Sequence, residues 1–141
     1  MTTTYQHTSQ LDSCLRPDER FHVELIAPGV ATAEQILLSH VVQLAALGYR
    51  SVICNRPDEE DGGQHPSHRD IAQACERHAM QFVYFPVHSS GHSEQEVRDM
   101  YEIVDAAPKP VLIYCRTGRR SRNLIASVEA LQKSYHPESF G

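Results

Sequence analysis

The stretch Val111-Leu112-Ile113-Tyr114-Cys115-Arg116-Thr117-Gly118-Arg119-Arg120-Ser121-Arg122 leaves this chain few ways to fold. An apolar run of four residues, entered through Pro108-Lys109-Pro110, reads as a buried parallel strand, and the residues after Ser121 have the spacing of an amphipathic helix. A cysteine therefore falls at the carboxyl end of a central strand, on a short glycine-containing loop that opens into a helix. Free N–H groups of such a loop and the positive end of the helix dipole favour an anion. Arg116, Arg119, Arg120 and Arg122 add charge of the same sign. Cys115 is expected to be a thiolate at neutral pH. Lowering a thiol pKa from ~8.5 to ~5.5 takes roughly 4 kcal/mol, which a helix end, several N–H donors and an arginine can supply together. The same cradle is expected to hold an incoming anion beside the nucleophile. A purely structural cysteine would leave one fact unexplained: four of the 13 Lys+Arg crowd into residues 116–122 of a chain whose net charge is −5. Gly118 suits a loop position that needs positive φ or close approach to a ligand.

At 141 residues, 40% hydrophobic and 22% charged, the chain has the size and composition of one soluble globular domain. It contains no apolar run of membrane-spanning length, and Met1 to Gln10 lacks the basic and apolar regions of a secretory signal. The expectation is a cytoplasmic protein without a membrane partner. Cys14, Cys54, Cys75 and Cys115 show no paired spacing, so a disulfide framework is not expected. The acidic balance argues against a nucleic-acid partner. Nine histidines include the pairs His65/His68 and His88/His92, yet neither pair comes with the third ligand a zinc site needs. No metal or other cofactor is expected.

In chain order, residues 1–19 read as a loose polar arm, 20–133 as the folded domain and 134–141 as a frayed tail. Phe21 to Ile26 is a first strand and Ala27-Pro28-Gly29 a turn. Thr32 and Gln35 have the spacing of a capping box for a helix carrying Ile36, Leu37, Val41, Leu44 and Leu47, stopped by Gly48. Ser51 to Asn55 is a short strand. An acidic, glycine-rich loop from Asp58 to Ser67 follows and should border the same crevice as Cys115. Ser67 caps a helix through Ala79, Phe82 to Val87 is a strand, and Ser93 with Glu96 caps a helix to about Ala106. A last helix runs from about Arg120 to Lys133. Strands alternating with helices give an α/β fold with a central, mainly parallel sheet flanked by helices and a site at the strands' carboxyl ends.

Cys115-Arg116-Thr117-Gly118-Arg119-Arg120-Ser121 resembles the phosphatase-like domain of the bacterial beta-lactamase-hydrolase-like proteins, a family also classed as sulfur transferases. The likeness runs from about Phe21 to Leu131 and includes Gly48-Tyr49-Arg50-Ser51-Val52-Ile53, Asn55-Arg56-Pro57-Asp58 and Phe85-Pro86-Val87. The resemblance implies a dual-specificity-phosphatase-like fold, with Cys115 as nucleophile, Arg120 as the anion-binding arginine and Ser121 as the hydroxyl that steadies the thiolate. Around them, Arg116, Thr117, Gly118 and Arg119 form the expected substrate loop. Asn55 is expected to brace that loop, Arg56 and Asp58 to pair with each other or line the mouth, and His88 to contact substrate.

Two departures from phosphatases bear on the reaction. Only four residues separate Cys115 from Arg120, one fewer than in the protein-phosphatase signature, and Tyr114 stands where that signature has histidine. Rhodanese sulfurtransferases, by resemblance, also use the shorter loop, which holds one persulfide sulfur. The loop after Val87 offers His88, Ser89, Ser90 and His92 but no carboxylate before Glu94 to protonate a leaving alkoxide. The expectation that follows is a sulfurtransferase: a Cys115 persulfide made from thiosulfate or a small persulfide and passed to a thiol acceptor. A cysteine-dependent phosphatase working through phosphocysteine is the alternative, and an oxyanion or redox sensor without turnover a third. Cys54, at a strand end, reads as a small buried hydrophobe rather than a resolving thiol.

Overall fold

The structure is a computed structural model that describes residues 22–135. Five strands, β1 (Val23–Ala27), β2 (Val30–Ala33), β3 (Ser51–Cys54), β4 (Gln81–Tyr84) and β5 (Val111–Tyr114), form one sheet in the order β1-β2-β5-β3-β4. Four helices, α1 (Leu38–Ala46), α2 (His68–Arg77), α3 (Glu94–Ala106) and α4 (Arg119–Tyr135), flank it, and a 3-10 turn spans Glu60–Gly63. β1 and β2 make an antiparallel hairpin at one edge, and every other strand pair is parallel. The sheet is thus mainly parallel, as the strand-helix alternation predicts.

Both faces of the sheet are covered, so successive residues of a central strand feed different cores. Val52, Cys54, Leu112 and Tyr114 pack with Val41 and Leu44 of α1 and Ile71 and Cys75 of α2. Ile53, Val111 and Ile113 pack on the other side with Met100 of α3 and Leu124 and Val128 of α4. This two-sided burial explains why every residue of Ser51–Cys54 and of the apolar run Val111–Tyr114 is buried. Ala33, Tyr114, Cys54 and Tyr84 lie in register across the carboxyl ends of β2, β5, β3 and β4. The loops that follow leave the sheet at one level.

In the sheet, the sequence expectations fail at β2. Val30–Ala33 is a strand with Thr32 buried in it, not the approach to a helix, so the Thr32/Gln35 capping box does not form. Four small residues give no periodicity of their own; what makes them a strand is pairing with β1 on one side and with distant β5 on the other. Helix α1 begins only at Leu38, and its start is closed by the Leu37 N–H donating to His40 Nδ1 at 3.0 Å. Elsewhere the caps form as predicted. Ser67 Oγ accepts from the Asp70 N–H at 3.2 Å, and Ser93 and Glu96 exchange side-chain to backbone bonds at 3.1 and 2.8 Å. Gly48, with φ +95°, ends α1. The strand read from Phe21 is observed from Val23, while Phe21 itself and the arm 1–19 lie outside the described residues. Helix α4 includes Ser134 and Tyr135, so the predicted tail starts later than expected, and 136–141 lie outside the described residues. Among the described residues no helix is long and apolar enough to cross a membrane.

Leu112 is fully buried, so Leu112→Ala should lower the unfolding free energy by about 2–5 kcal/mol through lost burial and a cavity. Ser93→Ala, which removes one cap, should cost about 1 kcal/mol. Urea titrations of the two variants check the ranking, and equal losses would contradict it.

Candidate active site

Cys115 is the first residue past β5 and is 1% exposed. Its N–H still reaches the Ala33 carbonyl at 3.3 Å, which carries the sheet's hydrogen bonding one residue beyond the strand and anchors the start of the loop. The loop then turns back on the sulfur: the Gly118 N–H donates to Cys115 Sγ at 3.1 Å. Gly118 adopts φ +92°, a conformation only glycine takes freely, and this aims its N–H inward. Thr117 Oγ1 accepts from the Arg119 N–H at 3.3 Å and the Gly118 carbonyl accepts from Arg122 at 3.0 Å, so α4 starts on the loop itself. Outside, the Arg116 carbonyl accepts from the Gln35 N–H at 3.1 Å.

Asn55, just past β3, is fully buried and joins three segments. Its N–H donates to the Tyr114 carbonyl at 2.8 Å, its Nδ2 to the Phe85 carbonyl at 2.9 Å, and its Oδ1 accepts from Ser121 Oγ at 2.9 Å. The Asn55 side chain thus reaches the cysteine loop through Ser121, at the first turn of α4. The Ser121 hydroxyl, expected to steady the thiolate, donates to Asn55 Oδ1, because Asn55 presents the acceptor beneath that turn. Ser121 holds the helix, and through it the loop.

Arg120 lies over the same point. Its Nη1 donates to the carbonyls of Asn55 (3.3 Å) and Val87 (3.0 Å), and its Nη2 pairs with both carboxylate oxygens of Glu60, at 3.2 and 3.0 Å. Arg56 does not pair with Asp58. Its guanidinium, 5% exposed, donates from Nε to Glu60 Oε1 at 3.2 Å, from Nη1 to Gln35 Oε1 at 3.1 Å and from Nη2 to Asp61 Oδ2 at 2.8 Å. Asp61 also accepts from Arg116 Nε at 2.9 Å. Burying a guanidinium this deeply requires such partners, and Asp58 is committed elsewhere. Asp58 Oδ1 accepts from the His68 N–H at 2.8 Å and Oδ2 meets His68 Nδ1 at 2.7 Å, while the His68 ring stacks on Tyr84 at 3.7 Å. Burial alone would raise the Asp58 carboxyl, but the hydrogen bonds from the His68 backbone and ring outweigh it and hold it below the usual value. Asp58 thus pins the acidic loop to α2 rather than lining the mouth.

The remaining residues divide simply. Arg119 is exposed on the first turn of α4, and Arg122 reaches away toward Glu24 at 3.5 Å. His88 is exposed and its Nδ1 is engaged with Ser90 of its own loop, by the Oγ at 2.8 Å and the N–H at 3.1 Å. Cys54 faces the α1/α2 core, donates to the Arg56 carbonyl at 3.3 Å, and is pushed up to about 11 by burial. Burial likewise pushes Cys75 up to about 12. Among the described residues no three His, Cys, Asp or Glu side chains converge as metal ligands. The sequence reading missed Glu60 and Asp61 individually. Their signal was the acidic run before Gly62-Gly63, but which carboxylates turn inward is set by consecutive left-handed residues: Asp61 at φ +54°, Gly62 and Gly63 at +71°.

A buried cysteine cupped by a strand-to-helix loop, at the carboxyl edge of a mainly parallel sheet, places the protein in the fold class of the tyrosine and dual-specificity phosphatases. Within that class residues 22–132 match the model of the beta-lactamase hydrolase-like protein, phosphatase-like domain, and the chain belongs to this family. A beta-lactamase hydrolase-like protein of Agrobacterium fabrum is 30% identical over 99 residues, which cover 70% of this chain and 23% of that much longer protein. A crystal structure from Neisseria meningitidis, described as a candidate phosphatase, is 31% identical with a TM-score of 0.67, covering 73% of this chain and 72% of that one. The core catalytic domain of the Saccharomyces cerevisiae PP-IP phosphatase SIW14 shares the fold alone, at 17% identity and a TM-score of 0.63 over 79% of this chain and 66% of that one.

The two buried thiols generate a prediction with a definite sign. Their raised pKa values keep Cys54 and Cys75 protonated in the folded state, while the unfolded thiols ionise from about pH 9, so stability is lost as pH rises between about 9 and 11. The urea midpoint should fall across that interval. At pH 8 iodoacetamide should leave both residues unmodified in the folded protein and label Cys115 before either; peptide mapping reads the order.

Proposed function

We propose that this chain is a cysteine-dependent group-transfer enzyme acting on phosphate monoesters through a phosphocysteine. The observation that carries the reading is the hydrogen bond from the Gly118 N–H to Cys115 Sγ at 3.1 Å. It sets the sulfur beneath the loop with one backbone N–H already donated to it, while the Arg120 guanidinium is held on the carbonyls of Asn55 and Val87 and on Glu60. In the first step the thiolate attacks phosphorus, the bond from phosphorus to the ester oxygen breaks, and the leaving oxygen departs as an aryl oxide that takes its proton from solvent. In the second, water attacks phosphorus, the sulfur–phosphorus bond breaks, and inorganic phosphate leaves with the thiolate restored. Loop N–H groups and Arg120 stabilise the charge on the non-bridging oxygens in both steps.

The sequence alone ranks sulfur transfer first, partly because the loop after β4 lacks a carboxylate. That shortfall matters for an alkyl ester and little for an aryl phosphate, whose oxide leaves with little need of a proton; Glu60 and Asp61, paired with the arginines of the cradle, act there as acceptors. The likeness to chains described as phosphatases supports phosphate transfer as the first reading. One observation still favours the second reading, a sulfurtransferase. The four-residue spacing makes a narrow loop, suited to the outer sulfur of a Cys115 persulfide, formed when the thiolate attacks thiosulfate and sulfite leaves.

Mass spectrometry of the intact protein separates the two. Quenching during turnover of an aryl phosphate should trap an adduct of about 80 Da on Cys115, and thiosulfate should leave one of about 32 Da only if the second reading holds. Cys115→Ser should abolish turnover, by at least about 10³-fold. Retained turnover in that variant would overturn both readings. Arg120→Lys keeps the charge but loses the planar fork, and kcat/KM should drop by an amount worth about 1.5–3 kcal/mol.

A further inference from the structure

Glu60 lies outside the cysteine loop, in a segment that the proposed chemistry does not use, yet its carboxylate bonds Arg120 more extensively than any other group does. We infer that Glu60 is a positioning residue: it orients the Arg120 guanidinium so that the Nε–H side of the fork is turned to the bound anion. This rests on the reading of Arg120 as the anion-binding arginine.

The donor inventory carries the argument. An arginine has five N–H donors in a rigid plane. Nη1 is spent on the carbonyls of Asn55 and Val87, and Nη2 on Glu60 Oε1 and Oε2. Nε is the nitrogen left without a described partner. The two carbonyls hold one corner of the guanidinium plane and the carboxylate holds a second, so the group is fixed at both terminal nitrogens and its rotation about the long stem is stopped. Glu60 is in turn fixed, since its Oε1 also accepts from Arg56 Nε at 3.2 Å. Arg56 is buried and tied to Gln35 and to Asp61, whose left-handed backbone is held by the carboxylate clamp between Arg56 and Arg116. The chain of contacts therefore runs Gln35, Arg56, Glu60, Arg120, and each link is a directional hydrogen bond.

Charge gives an independent reason to call this orientation rather than attraction. A carboxylate beside the anion-binding arginine reduces the positive field that a substrate anion meets, so on affinity alone it is a disadvantage. Its value lies in holding a geometry that a transition state exploits more than a ground state does. Removing Glu60 should accordingly damage kcat while KM stays level or falls. A residue that merely stapled the loop would be indifferent to which arginine it met.

The test uses the full chain, labelled with nitrogen-15, and reads the side-chain Nε–H resonance of Arg120, assigned by its disappearance in Arg120→Lys. In the wild type it should be resolved from the bulk arginine signal and shift on titration with inorganic phosphate. In Glu60→Ala it should collapse into the bulk signal, and kcat on an aryl phosphate should fall about 10-fold with KM changed less than about 3-fold. Glu60→Gln, which keeps one acceptor oxygen and the side-chain shape, should fall between and covers the case in which Glu60→Ala unfolds. In the Arg120→Lys background, Glu60→Ala should have less than about 2-fold further effect on kcat. A resonance that responds in the wild type and stays resolved and responsive in Glu60→Ala overturns the inference alone, as does an undiminished loss in the Arg120→Lys background. A wild-type resonance that ignores both phosphate and thiosulfate, with no turnover of either, overturns the functional reading and the inference with it.

Discussion

The site depends on one buried amide. Asn55 stands where three chain segments that are far apart in sequence have to meet: the end of β3, the residues after β4 and the first turn of α4. Each polar atom it uses is satisfied by a group that must itself be in place, so the amide acts as a gauge of correct assembly. A buried amide left with one partner missing costs about 1–3 kcal/mol, which makes misplaced loops expensive and the assembled arrangement singular. The sheet beneath supplies the level from which the three segments depart.

Above that level the dominant problem is charge. A loop with four arginines would repel itself and bind anions indiscriminately, and the fold answers with an acidic turn drawn from another loop. Arg56, Glu60, Asp61, Arg116 and Arg120 form one alternating set of charges in which every guanidinium meets a carboxylate. The pairing is worth little where it is exposed, as at Arg116, and more where it is buried, as at Arg56. The division of labour follows burial. The inner charges fix geometry, whereas the outer ones remain available to solvent and ligand.

Much of this was legible in the sequence because the relevant signals are local. The strand-cysteine-loop-helix unit, the caps at Ser67 and Ser93, and the stop at Gly48 each depend on neighbours a few residues away. What was not legible is what depends on partners brought from a distance. β2 is a strand because β1 and β5 pair with it, and nothing within Val30–Ala33 announces that. Ser121 was read as serving the sulfur, but its hydroxyl answers to Asn55, 66 positions earlier in the chain. Arg56 and Asp58 are close in sequence and opposite in charge, yet they meet different partners, Glu60 and Asp61 for one and His68 for the other. The acidic loop was correctly placed at the crevice, and the choice among its four carboxylates was made by backbone dihedrals that composition does not encode.

The lock between Ser121 and Asn55 has a geometric consequence. An α-helix turns about 100° per residue, so the bearing of Arg120 around the axis of α4 is set once Ser121 is clamped. The residues Arg116 and Thr117 lie upstream of that clamp and of the first helical hydrogen bond, which Gly118 accepts from Arg122. The length of this part of the loop can therefore vary, widening or narrowing the bowl around the sulfur, while the arginine keeps its bearing. In this architecture the diameter of the bowl and the azimuth of the arginine are separate variables, and a lineage can retune the first for a different reacting group without disturbing the second.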